Sequence, residues 1–133
     1  MNVLILSNQN NFKKYIADIF SVHEPAWILS YSEIGAHYSE LINACYYPDT
    51  VIVDMESSDI NIFELVENIQ SSFNTNIVVL NSSNDISLLV QAFNAGVDDY
   101  ITIPFNPVVF IAKIKAIIRR KKWEIQSVKI LNA

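Results

Sequence analysis

The stretch Asn94-Ala95-Gly96-Val97-Asp98-Asp99-Tyr100-Ile101-Thr102-Ile103-Pro104-Phe105-Asn106-Pro107 decides the fold. Just before it, Ile86, Leu89, Val90 and Phe93 recur at the spacing of one helical stripe. Gly96 stands where that helix should stop, because a residue without Cβ takes a left-handed cap at little cost. Tyr100-Ile101-Thr102 then reads as a short strand. Pro107 suits a first helical position, where its missing N–H would be unpaired anyway, and Asn106 can cap the helix that runs through residues 108–120. Helix, strand and helix thus follow one another without a long loop.

The same alternation extends outward. Residues 3–6 (Val-Leu-Ile-Leu), 51–53 (Val-Ile-Val) and 77–80 (Ile-Val-Val-Leu) read as strands buried on both faces, and residues 27–30 are a weaker candidate. Phe12, Tyr15, Ile16, Ile19 and Phe20 fall on one helical stripe, as do Ile62, Leu65, Val66 and Ile69. A helix over 32–44 is weakly patterned. About five strands and five helices in alternation mean βαβ units around a parallel sheet, with right-handed crossovers placing helices on both faces. Pro48 breaks the chain before the third strand. The cations Arg119-Arg120-Lys121-Lys122 read as the solvated end of the last helix, favoured there by its dipole, in preference to a phosphate-binding patch. Residues 1–121 then form one domain, and 122–133 a linker or the start of an effector domain.

Composition narrows the class. In 133 residues, 51% hydrophobic and 17% charged side chains are enough for a packed core. A net charge of −5 argues against nucleic acid or anionic membrane as a direct partner. Cys45 is the single cysteine, so no internal disulfide can form, and it reads as a small buried apolar residue. No stretch is apolar enough to span a membrane, and none resembles a secretion signal. The expectation is a soluble cytoplasmic protein. His23 and His37 lack partners at ligand spacing and read as surface residues, and Tyr46 and Tyr47 as the edge of the core.

Asp54 closes the run Thr50-Val51-Ile52-Val53 and precedes the polar Glu56-Ser57-Ser58-Asp59. A lone carboxylate thus sits at a strand's carboxyl end, where open α/β sheets place their chemistry.

With these residues in hand, the chain resembles the receiver domains of bacterial response regulators, a flavodoxin-like (βα)5 fold with a doubly wound parallel five-stranded sheet. The resemblance rests mostly on residues 95–105, close to the family's Gly-Ala-Asp-Asp-Tyr-Ile-x-Lys-Pro-Phe. The opening Val3-Leu4-Ile5-Leu6 and the central Val51-Ile52-Val53-Asp54 add to it. The ending Ile114-Lys115-Ala116-Ile117-Ile118-Arg119-Arg120 is similar to the OmpR/PhoB subfamily, whose receivers precede a winged-helix DNA-binding domain.

The resemblance implies a phospho-acceptor at Asp54, an acidic metal-binding pair at Ser7 and Asn8, a hydroxyl at Asn81 and a lysine at Ile103. Only the acceptor is retained, along with Pro104 at the place of the family's cis-proline. Mg2+ usually needs one or two carboxylates plus phosphate oxygens and water, so its binding is expected to be weak or absent, with no cofactor. Loss of metal and lysine removes the main electrostatic help for phosphoryl transfer. Glu56 is the one nearby carboxylate able to substitute. In the alternative, Ser7, Asn8, Asn81 and Ser82 hydrogen-bond Asp54 without metal, and the pocket is degenerate.

Receivers of this subfamily pair through their α4-β5-α5 face, here the helix from Ile86, the strand at Tyr100 and the helix from Pro107. Asp98, Asp99 and Lys113 match the family's charge scheme there; Gln91 and Val109 depart from it. Leu88, Leu89, Val109 and Phe110 make the face more apolar, although Leu89 and Phe110 fit a core position equally well. Tyr100 matches the family's aromatic switch residue. The expectation is a non-enzymatic, phosphorylation-independent receiver of a transcription regulator, forming a homodimer through this face and reaching DNA only through a C-terminal effector domain. A stand-alone protein-interaction adaptor and a conventional receiver phosphorylated on Asp54 are the alternatives.

Overall fold

Five parallel strands form one sheet: β1 (Asn2–Leu6), β2 (Ile28–Ser32), β3 (Thr50–Asp54), β4 (Asn76–Asn81) and β5 (Asp99–Thr102), in the order β2-β1-β3-β4-β5. Helices Asn10–His23, Ile62–Ser72, Ile86–Ala95 and Pro107–Leu131 complete the architecture. The computed structural model describes residues 1–35, 47–56 and 61–131, with side chains described through Glu124. The weak helix expected over 32–44 falls largely outside the described residues, as do His37, Cys45, Tyr46, Ser57, Ser58 and Asp59.

The order is the doubly wound flavodoxin-like one. Successive side chains of β1 point to opposite faces, so Val3 and Ile5 join one core and Leu4 and Leu6 the other. The first core packs under the 10–23 helix and the last helix, through Phe12, Ile16, Phe20, Phe110 and Ile114. The second lies under the 62–72 and 86–95 helices, through Leu65, Val66, Ile69 and Ala92. The chain turns from one face to the other between β1 and β3, and such a switch point opens a crevice at the strands' carboxyl ends. Ser7 and Asp54 sit there.

Side-chain caps hold three of the four described helix starts, the 10–23 helix having none. Asn61 accepts from Glu64 N–H at 3.2 Å, Asp85 from Ser87 N–H at 2.8 Å, and Asn106 from Val108 N–H at 2.9 Å. Each such cap is worth about 1 kcal/mol. Gly96 takes φ 108°, the left-handed conformation its place required.

Five expectations need correcting. β2 begins at Ile28, so Trp27 lies outside it and packs on Phe20 with ring centroids 5.6 Å apart. The 86–95 helix buries Ala92, while Ile86, Leu89, Val90 and Phe93 are exposed. Its apolar residues make two stripes, and the smaller one faces the sheet. Tyr15 is also exposed, touching Phe105 at the surface at 5.8 Å, and Tyr47 is exposed while Pro48 is buried. The last helix does not stop at the basic run but continues to Leu131. No Gly or Pro follows Pro107, so nothing in the sequence breaks the helix there.

Candidate functional site: the carboxyl end of the third strand

Asp54 ends β3 and is fully buried. Ser7 Oγ donates to its Oδ2 at 2.7 Å, and Glu56 N–H donates to its Oδ1 at 3.0 Å. A buried carboxylate is costly unless donors replace its water, and both oxygens have one. Ser7 is held in turn, since its Oγ accepts from Gln9 N–H at 3.0 Å and its own N–H donates to Ser32 O at 3.1 Å.

The other positions of the pocket serve structural bonds. Asn8 Oδ1 accepts from Ile34 N–H at 2.9 Å. Glu56 Oε1 accepts from Ser82 N–H at 2.8 Å, tying the loop after β3 to the loop after β4. Asn81 is buried; its carbonyl accepts from Ile103 N–H at 2.9 Å and its Oδ1 from Ser83 N–H at 3.5 Å. Ile103 is half-buried against the first core, and the Ile103–Pro104 peptide is cis. The Gln9 and Glu56 bridges use backbone donors, which leave no mark in sequence.

A receiver-type pocket raises the question of Mg2+. These atoms fit it poorly. The two neighbours from the β1 end are neutral, both oxygens of Asp54 already accept protein hydrogen bonds, and the Glu56 carboxylate spans to Ser82. Among the described residues, no three His, Cys, Asp or Glu side chains come together as a metal site.

The residues of the expected pairing face are spread over exposed and engaged positions. Gln91, Val109 and Lys113 are exposed, and Gln91 Nε2 donates to Ser87 Oγ at 3.2 Å. Leu88 is half-buried, and Phe110 is core. Asp98 is committed within its own chain: its Oδ2 accepts from Ile77 N–H, and its N–H donates to Ile77 O, both at 2.7 Å. Partial burial raises its carboxyl above the ordinary value, against the lowering effects of the Ile77 bond and of Lys121 and Arg120. Asp99 Oδ1 accepts from Tyr100 N–H at 2.8 Å. Tyr100 is buried, and its hydroxyl has no hydrogen-bond partner among the described residues.

Fold and switch-point pocket together are similar to those of receiver domains. The chain's sequence relatives are response regulators of the OmpR/PhoB type. It is 34% identical over 84 residues to the cell cycle transcriptional regulator CtrA of Caulobacter vibrioides, covering 62% of this chain and 36% of that one. To the transcriptional regulatory protein KdpE of Mycobacterium tuberculosis it is 36% identical over 73 residues, 55% of this chain and 32% of that one. The chain thus spans about a third of the length of these curated relatives. A two-component response regulator from Clostridium difficile superposes with a TM-score of 0.72 at 23% identity, covering 90% of this chain and 97% of that one. No family model matches the chain. No described helix is long and apolar enough to cross a membrane.

Proposed function

We propose that this chain is the dimerising receiver module of a transcription regulator that works without metal-dependent phosphorylation of Asp54. The observation that carries the reading is the hydrogen bonding of Asp54, whose two oxygens accept from Ser7 Oγ and Glu56 N–H. In that arrangement the carboxylate is a structural acceptor joining β1 to the loop after β3. An apolar Ile103 at the lysine position offers nothing to a transferred phosphoryl group. Mg2+ binding is weak for the same reasons of charge and donor geometry.

Signalling then falls to the surface. The 86–95 helix exposes Ile86, Leu89, Val90 and Phe93, and Val109 is exposed near the start of the last helix. Apolar patches of several hundred Å2 are uncommon on monomers and mark contact surfaces. A second copy pairing through this face, with Asp99 and Lys113 at its rim, gives a constitutive homodimer. DNA is reached through an effector domain joined to the last helix, which places the protein in the cytoplasm. Sedimentation without any phosphodonor tests the dimer: at tens of micromolar the chain should run as a dimer, and a monomer there contradicts the reading.

A further inference from the structure

At the end of the sheet opposite Asp54, a groove of about 400 Å3 opens between the turn at Glu24–Trp27 and the last helix. Its apolar walls are Trp27, Ile118 and Trp123, and Lys115, Arg119 and Lys122 supply cations. The helical residues among these fall at spacings of three, four, seven and eight from Lys115, so they share one helix face. Trp27 is fixed in place by Phe20, a core residue, at 5.6 Å. Trp123 stands 66% exposed on the helical extension beyond the basic run. Among the described residues, the one other charged side chain of the lining, Glu24, pairs with Lys115. Arg119 and Lys122 therefore set the sign of the groove, which is positive on a chain whose net charge is −5.

We propose that this groove binds a small organic anion with a flat aromatic body. Its volume lies within the range of about 300–1,000 Å3 typical of small-molecule sites. Two indoles and Ile118 can enclose an aromatic ring, Arg119 can bond an acidic group with its planar fork, and Lys122 adds a point charge. The site is independent of the Asp54 pocket and of the exposed 86–95 helix. An occupant would touch both the 24–27 turn and the last helix, fastening the helix to the body of the domain.

The test is a titration with 1-anilinonaphthalene-8-sulfonate, an aromatic sulfonate, read by dye emission and by quenching of the two tryptophans. Saturable binding is expected with a Kd on the order of 10–100 µM, as usual ligand efficiencies give for a molecule of about twenty non-hydrogen atoms. R119A/K122A should weaken it at least tenfold, and the uncharged N-phenyl-1-naphthylamine should bind at least tenfold more weakly to the unaltered chain. L89S/F93S, on the exposed 86–95 helix, should leave affinity unchanged. All four substituted positions are exposed, so the fold survives. Unsaturable binding, full affinity in R119A/K122A, equal affinity of the uncharged dye, or loss in L89S/F93S would each overturn the proposal.

Discussion

Ser7 Oγ lies 2.7 Å from Asp54 Oδ2, and both residues are fully buried where β1 and β3 meet. At this point a receiver would place an acidic residue and share a cation between two strands. Here a neutral hydroxyl bonds the carboxylate directly, so the pair itself joins the two strands. A change at Ser7 therefore acts on stability before it acts on chemistry.

Ser7→Ala removes one of the donors to a buried carboxylate. Leaving a charged group short of a partner costs about 1–3 kcal/mol, which a lower urea midpoint would register. A change below about 0.5 kcal/mol, the scatter of ordinary surface substitutions, would argue against the bond. Ser7→Asp should be destabilised more strongly without metal, since two carboxylates would then meet, and should recover part of the loss in millimolar Mg2+.

Among the described residues, the buried Tyr100 hydroxyl has no bond to lose. Tyr100→Phe should therefore match or exceed the stability of the unaltered chain, by up to about 1 kcal/mol. A loss of more than that in thermal or urea unfolding would mean the hydroxyl is engaged.

Asp98 gives a pH-dependent outcome. Partial burial raises its carboxyl above the ordinary 3.8, so the folded chain holds the proton more tightly than the unfolded one. Its ionised form thus costs stability above the folded-state pKa, and the cost fades as pH falls through that value and is gone below 3.8. Asp98→Asn keeps an acceptor for Ile77 N–H and removes the charge. It should be more stable than the unaltered chain near neutral pH, with the gap closing as pH approaches 4. A gap that widens on acidification would reverse the assignment.

Leu89→Asp and Phe93→Asp place charge on the exposed stripe of the 86–95 helix. Because these side chains touch solvent, unfolding of the monomer should change by no more than about 0.5 kcal/mol. Sedimentation should nevertheless shift toward monomer. Unchanged dimerisation would move the pairing surface elsewhere.

What could be read from the sequence followed from single strong signals. The β-branched strands, Gly96, Asn106 and Pro107 each answer to one local rule, and each stands where it was expected. The 86–95 helix was harder, because with apolar residues on both sides its periodicity cannot say which stripe is buried. Ala92 decides it by allowing close approach to the sheet, a matter of fit between elements. The basic run at 119–122 resembled a helix end, yet no Gly or Pro follows it and the helix continues to Leu131. For the pocket, the residue types at Ser7, Asn8, Asn81 and Ile103 were legible. That Glu56 would bond Ser82 N–H depended on two loops meeting in space.

The central claim is that Asp54 is a structural acceptor and no longer a phospho-acceptor. Intact-mass measurement after incubation with acetyl phosphate and Mg2+ tests it most directly. The expected result is an unchanged mass, identical to that of an Asp54→Asn control. A gain of one phosphoryl group in the unaltered chain, absent from the control, would contradict it.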